Sequence, residues 1–139
     1  MNLSGVRNAI IAKVDGMTGF RMSPFPVELF DRSQNTLAHL AFAVSIGSTQ
    51  SMDERQRIPT RIFMSSNVDV IFAYRIRPHS ISADYNNALD KEVEVVETVL
   101  GSYVSTPGIE IRYNQSTRTF AQSLEYVLVQ LTFTVIHTP

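Results

Sequence analysis

The feature that most constrains the fold of this 139-residue chain is a long alternating stretch near its C-terminus. Residues 124–136 read LEYVLVQLTFTVI, and every second side chain from Val127 to Val135 is apolar. Alternation with a period of two predicts a β-strand with one buried face. An apolar strand of this length is hazardous at an open sheet edge, so we expect it to be central or to be paired by another subunit.

Other segments predict further strands. Residues 68–77 alternate in the same way, and Leu40, Phe42, Val44 and Ile46 share one face of an earlier strand. After Pro107-Gly108, the letters IEIRY predict a short strand and NQSTRTF a polar connection. The faces opposite the apolar ones carry Thr, Gln, Arg, Asp and small residues, so we expect that side of the sheet to be exposed or to meet another subunit.

Two segments have the apolar spacing of amphipathic helices. We expect the first to be capped by Ser4 and stopped by Gly16 and Gly19, and the second to be capped by Ser82 or Asp84 and stopped by Gly101. The predicted apolar stripe of the second helix is Tyr85, Leu89, Val93, Val96 and Leu100, flanked by Ala88 and Val99. The acids Asp90, Glu94 and Glu97 are predicted to face solvent.

These elements together predict an α+β fold. We expect a mostly antiparallel sheet of about four strands with two helices packed on one face, in the order α-β-β-α-β-β. The length is typical of a single domain, here residues 1–139, with a long polar loop at about 47–58. We find no secretory signal and no apolar run long enough to span a membrane.

The segment FAYRIRPHSISADYNNALDKE, residues 72–92, places five ionisable side chains within sixteen positions. These residues are Arg75, Arg77, His79, Asp84 and Asp90. They could form a catalytic cluster, but each also has a structural position at a strand end, in a turn, at a helix cap or on a solvated helix face. We favour the structural interpretation.

Sequence motifs for chemistry are otherwise absent. There are no cysteines, which excludes disulfides, thiolate metal sites and Cys nucleophiles. His39, His79 and His137 lack zinc-motif spacing, and we interpret them as a sheet-face, a turn and a tail residue. No phosphate-binding loop or nucleophile elbow occurs. We therefore predict no cofactor, no metal and no enzymatic activity.

The charge balance does not indicate nucleic-acid binding. The formal net charge is −1, from 12 basic and 13 acidic residues. A basic strip is conceivable if Arg55, Arg57 and Arg61 lie beside Arg75 and Arg77, but Asp53 and Glu54 offset it. We interpret these residues as a solvated loop and strand edge.

The order of segments resembles a known family. It comprises a short helix (LSGVRNAIIAKV), a Pro-containing loop (FRMSPFPVELF), a strand and polar excursion, a strand ending in FAYRIRP, the helix DYNNALDKEVEVVETVLG and a final pair of strands. This pattern is similar to that of the tail terminator, or tail completion, proteins of long-tailed bacteriophages, over nearly the full chain.

The resemblance implies a virion protein of the tail or neck that assembles in the host cytoplasm. Its function would be structural: a homo-oligomeric ring, usually a hexamer, caps the head-proximal end of the tail tube, stops polymerisation and offers a surface for the head connector. The implied partners are sister subunits, the tail tube protein and a connector or neck protein. No membrane and no specific nucleic acid is implied, although such a ring leaves room for DNA to pass through it.

Candidate contacts with a sister subunit or the tail tube are charged residues of the polar excursion and of the FAYRIRP strand. They are Asp53, Glu54, Arg55, Arg57, Arg75 and Arg77. Two alternatives remain open at this point. The chain could be another head–tail neck or head-closure protein, or a small-molecule-binding or enzymatic α+β domain that uses the uncovered sheet face.

Overall fold

The computed structural model describes residues 2–23, 37–51, 63–101, 110–121 and 124–138. Within these ranges the chain forms two helices and five strands. In chain order they are α1 (Leu3–Asp15), β1 (Arg21–Met22), β2 (Ala41–Ser51), β3 (Met64–Arg75), α2 (Ile81–Gly101), β4 (Glu110–Phe120) and β5 (Tyr126–His137).

The five strands form one sheet in the order β1-β2-β3-β5-β4. The two-residue strand β1 runs parallel to β2, and all other neighbours are antiparallel. The predicted α+β class is therefore confirmed, with β1 added to the four predicted strands. The apolar stretch at 124–136 is confirmed as a central strand, because β5 lies between β3 and β4.

Both helices cover the same face of this sheet, as predicted. The main core contains Val6, Ile10 and Val14 from α1 and Val95 and Val99 from α2. These side chains pack on the inward-facing residues of the three inner strands, which are Phe42, Val44, Val68, Val70, Phe72, Val129, Leu131, Phe133 and Val135. Phe20 closes the core beyond α1, with its ring edge-on to Phe42 and Phe72.

The far face of the sheet is only partly available for contacts. Its apolar half, Ala43, Ile71, Ala73 and Leu128, is buried, with Leu37 and Tyr126 packed against it. The other half is polar, and its side chains bond to one another: Thr132 Oγ1 donates to Asp69 Oδ1 at 2.7 Å. The expectation that this whole face is exposed or meets another subunit is therefore wrong for its apolar half.

Gly16 is the C-cap of α1, as predicted, but the N-terminal caps of both helices differ from the predicted ones. The side chain of Asn2, not Ser4, accepts a hydrogen bond from the backbone N–H of Gly5 and so caps α1. Helix α2 begins at Ile81, which places Ser80 at the N-cap position. The Asp84 N–H donates to the Ser80 carbonyl at 2.9 Å, so neither Ser82 nor Asp84 is the cap.

Three predicted boundaries are also wrong. Strand β2 continues through Gly47 to Ser51, pairing with β3 as far as Met64, so the first part of the predicted loop at 47–58 is a strand. Strand β4 is continuous over residues 110–120, because β5 pairs with the polar letters NQSTRTF as well as with EIRY. Strand β3 ends at Arg75, three residues before Pro78.

Helix α2 is rotated relative to the predicted stripe. Its buried residues are Asp84, Ala88, Glu92, Val95 and Val99. Val93, predicted to lie in the core, is 56% exposed. The acids Asp90, Glu94 and Glu97 are exposed, as predicted. The prediction failed because apolar positions were assumed to define the core side, whereas two buried acids lie at its centre.

We expect Phe72→Ala to lower the free energy of unfolding by about 3–5 kcal/mol, because the ring is fully buried and its removal leaves a cavity. Phe120→Ala is the control, since that ring is 43% exposed. Urea denaturation should show a loss for Phe120→Ala well under half of the loss for Phe72→Ala. Equal losses would contradict the placement of the core.

Candidate interaction surface

Two of the ionisable residues of 72–92, Arg77 and Asp84, form a structural clamp rather than part of an open cluster. Asp84 accepts hydrogen bonds from the Arg77 backbone N–H (2.9 Å), Nε (3.0 Å) and Nη2 (3.0 Å), and from Ser80 Oγ (3.0 Å). The Asp84 side chain is buried and the Arg77 side chain is half exposed. The clamp joins the segment after β3 to the first turn of α2.

This clamp fixes the ionisation of Asp84. Hydrogen bonds from the Arg77 side chain, followed by that from its backbone N–H, hold the pKa of the Asp84 carboxyl well below its usual range. Arg77 and Ser80 both donate hydrogen bonds to the Asp84 carboxylate, so this carboxylate has a structural role. The structural interpretation favoured from the sequence agrees with this geometry.

Arg75 lies at the exposed end of β3. Its backbone N–H donates to His39 Nδ1 at 3.2 Å, and the His39 ring stands edge-on to Tyr74 at 4.6 Å between ring centroids. Burial, and next the charge of Arg75, lower the pKa of His39, which keeps Nδ1 free to accept. His39 lies in a turn before β2 and not on a sheet face, so that prediction is wrong.

The predicted contacts Asp53, Glu54, Arg55 and Arg57 lie outside the described residues, as does Arg61. The strand ends that flank them, Ser51 and Met64, pair with each other at the end of β3 opposite Arg75. Twelve strand residues separate these two ends by on the order of 35–40 Å. The structure therefore gives no support to a single basic strip that includes Arg75 and Arg77.

His137 is not the tail residue predicted from the sequence. It ends β5 on the helix-covered face and is buried, with its Nε2 2.7 Å from Ser66 Oγ and its Nδ1 2.9 Å from the Thr138 carbonyl. Thr49 Oγ1 also lies 2.7 Å from Ser66 Oγ. A serine beside an oriented histidine is the arrangement of a nucleophile and its base. Here both side chains are fully buried, and their hydrogen bonds join the ends of β2, β3 and β5.

The described residues contain neither a metal-binding cluster nor a membrane-spanning helix. No group of three or more histidine or acidic side chains there could hold a metal ion. No helix in those ranges is long and apolar enough to cross a membrane.

The most distinctive surface is a groove between α2 and β4, which we call the α2/β4 groove. It has a volume of about 360 Å³ and is lined by Glu92, Val93, Val96, Glu97, Tyr113 and Arg118. Val93 is 56% exposed and Tyr113 40%. Phe120 extends the apolar surface, with its ring stacked on Tyr85 at 5.8 Å. Apolar side chains left open beside charged ones are typical of protein contact sites.

An ion pair closes the floor of the α2/β4 groove. Arg118 Nε and Nη2 both donate to Glu92 Oε2, at 3.0 and 2.6 Å, and the Glu92 carboxylate raises the pKa of Arg118. The other carboxylate oxygen, Glu92 Oε1, is buried and has no hydrogen-bond partner among the described residues. A buried carboxylate oxygen without a donor is costly, and a cationic or N–H donor would relieve that cost.

The sequence reasoning missed this groove. Glu92 is not among the helix residues assigned from the sequence, and Arg118 lies in the segment NQSTRTF, which the sequence predicts to be a polar connection. The sequence contains only a weak indication of this ion pair. Glu92 follows Ala88 at a four-residue helical spacing, which is compatible with burial, but its partner Arg118 is 26 residues away in the sequence.

Strand β4 adds an unpaired backbone edge to the groove. It pairs with β5 on one side, and no described strand pairs with its other side. A register shift between Tyr113 and Gln115 leaves Asn114 as an extra residue of β4. This bulge divides the outer backbone edge of β4 into two segments. Bulges and charged residues such as Arg112 limit uncontrolled pairing at an edge. The edge is thus suited to a selective contact.

Comparisons with known proteins do not assign this surface. No protein-family model matches the sequence, and no curated protein matches it. The resemblance to tail terminators therefore rests on the order of elements and on the segments quoted above.

We expect Asp84→Asn to lower the melting temperature at pH 7 by several degrees, because the Arg77 clamp favours the charged carboxylate. The folded-state pKa of Asp84 is below its unfolded value of about 4, so its contribution is present above that pH and is lost as the pH falls further. The difference from the unmodified protein should therefore shrink below about pH 4. Asp90→Asn, at an exposed position of the same helix, should change little at any pH.

We expect Glu92→Met to raise the free energy of unfolding by about 1 kcal/mol, because it removes the buried oxygen that lacks a donor and keeps a side chain of similar length. Arg118 is about one-third exposed and can be hydrated once its partner is gone. Glu97→Met, at an exposed position, is the control and should change stability little. A large loss for Glu92→Met in chemical denaturation would show that the ion pair stabilises the fold.

Proposed function

We propose that this protein is a structural subunit of a bacteriophage tail terminator ring. The ring would sit at the head-proximal end of the tail tube, stop its polymerisation and offer the surface to which the head joins. Its partners would be sister subunits, the tail tube protein and a connector or neck protein. The virion tail or neck would be its final location.

The observation that carries this proposal is the contact surface on one side of the domain. The α2/β4 groove, its exposed Val93 and Tyr113, and the unpaired edge of β4 lie together at one edge of the sheet. A closed ring needs a heterologous interface, in which one surface of each subunit meets a different surface of the next. A sheet with two unlike edges can supply both surfaces, since β1 at the other edge is only two residues long.

The arrangement of the ionisable groups supports the same proposal. Asp84 is engaged by Arg77, Glu92 by Arg118 and His137 by Ser66, and each of these bonds joins two separate parts of the fold. A catalytic site would instead bring titratable groups together in a pocket open to substrate. The α2/β4 groove offers one paired carboxylate and apolar walls, which suit binding.

Electron microscopy of phage particles assembled without the protein tests this proposal. In the phage that encodes the chain, deletion of its gene should give tails that are overlong and not joined to heads, because tube polymerisation is no longer capped. Supplying the unmodified protein from a plasmid is the control and should restore the tail length and the joined heads.

Other phenotypes would indicate a function different from tail termination. Tails of normal length beside heads that have lost their DNA would indicate a head-closure or other neck protein. Particles of normal form and infectivity would contradict a structural role and would favour a small-molecule-binding or enzymatic domain.

A further inference from the structure

The two edges of the sheet carry opposite charge. Strand β1 and helix α1 form what we call the basic edge, with Arg7, Lys13 and Arg21 against the single acid Asp15. None of these three cations has a salt bridge to a described residue; Arg7 Nε instead donates to the Val44 carbonyl on β2 at 3.1 Å. That bond holds Arg7 beside the outer edge of β2.

Strand β4 and helix α2 form the acidic edge, with six acids against three bases. The salt bridges here join Lys91 to Glu94, Arg112 to Glu110 and Arg118 to Glu92, and Arg77 pairs with Asp84. Asp90 and Glu97 are the acids of this edge that have no salt bridge among the described residues. The unmatched charge is therefore negative, and Glu97 lines the α2/β4 groove.

The strand order places β1 and β4 at opposite edges of the sheet, and the two helices lie side by side in contact with each other. Strand β1 begins the order and β4 ends it, while α1 packs over β2 and α2 over β4 and β5. Each edge also exposes apolar side chains on the helix-covered face: Met22 is paired in register with Phe42, and Val93 lies beside Tyr113 in the groove. Charge and apolar surface are thus matched at similar positions of the two edges.

We propose that the acidic edge of one copy of this chain binds the basic edge of the next copy, with the α2/β4 groove receiving apolar and cationic side chains of its neighbour. This inference deepens the proposed function and rests on it for its biological setting, since it names the contact that would join ring subunits. The contact is head to tail: acidic edge against acidic edge would place like charges together.

The buried oxygen of Glu92 is an independent observation that points to a cationic occupant. Glu92 lines the groove, its side chain is 94% buried, and its Oε1 has no donor within the described part of the chain. Arg7 donates from Nε to Val44, and neither of its Nη groups bonds to a residue in the described part of the chain. A guanidinium from the next copy would supply the type of donor that this floor lacks.

Cysteine cross-linking tests the proposal directly, because the chain contains no cysteine and has no background reaction. Val93→Cys labels the acidic edge and Met22→Cys the basic edge, and both positions are exposed. We expect a mixture of the two variants, treated with a short bismaleimide, to give a covalent dimer several-fold more efficiently than either variant alone. A chain carrying both substitutions should give a ladder of higher oligomers.

Leu124→Cys is the matched control, since Leu124 is 68% exposed and lies in the connection between β4 and β5. Mixed with Met22→Cys, it should give only background dimer. Efficient dimerisation of Val93→Cys by itself would overturn the proposal in favour of a symmetric contact. A mixture of Val93→Cys and Met22→Cys that does not exceed this control at high protein concentration would overturn it as well.

Charge-reversal variants and high salt distinguish cross-linking through an electrostatic contact from random cross-linking between colliding molecules. Glu97→Lys in the Val93→Cys chain, or Arg21→Glu in the Met22→Cys chain, should each reduce the cross-linked dimer several-fold, as should high salt. Combining the two reversed chains should restore part of the yield; no effect of either reversal would contradict the charge match.

The outcomes for this contact and for the proposed function are distinguishable. Overlong tails without the protein, together with failed cross-linking, would leave the terminator function standing and reject this interface. Specific cross-linking together with normal tails would establish the head-to-tail contact and reject the terminator function.

Discussion

The pairing of β3 with β5 is the constraint on which the rest of this structure depends. Twelve consecutive residue pairs, from Met64 with His137 to Arg75 with Tyr126, fix the register of the two central strands. A shift of β5 by one residue relative to β3 would turn Phe133 away from the helices and bring polar residues of β5 into the core. With this register set, both helices must lie on the same face, and β2 and β4 can only be added outside the central pair.

The outer position of β4 explains why partly exposed aromatic side chains and the Arg118–Glu92 ion pair lie there. Central strands are covered on the helix side by whole apolar side chains, whereas α2 covers β4 incompletely and leaves Tyr113 and Phe120 partly open. A charged residue can face a helix at such a margin, because Arg118 keeps about a third of its side chain in water while it neutralises Glu92. The groove is thus a consequence of an incomplete second layer at the sheet edge.

Much of the fold was predictable from period-two alternation, because alternation reports burial on one face of a strand directly. Since a long apolar strand is hazardous at an open edge, the sequence predicts that β5 is central or paired by another subunit, and the structure has it central. The helix stripe differs from the prediction because two acids, Asp84 and Glu92, are buried on its core side and pair with arginines outside the helix. Arg77 lies seven residues before Asp84 and Arg118 lies 26 residues after Glu92, and the apolar spacing of the helix shows neither pair. The same holds for His137, whose partner Ser66 lies 71 residues earlier. The sequence predicts a short strand and a polar connection where β4 is continuous, because the polar residues of β4 are compatible with an edge strand as well as with a loop.

The acidic edge combines features that stability alone does not explain. An apolar residue at Glu92 would fill the same position without burying a carboxylate oxygen that lacks a donor. Exposed Val93 likewise adds little to the fold of an isolated subunit. Both features become favourable when another surface supplies a cation for the carboxylate and apolar area for the valine. Such features at one edge, together with cations at the opposite edge that have no salt bridge to a described residue, are what the proposed head-to-tail contact requires.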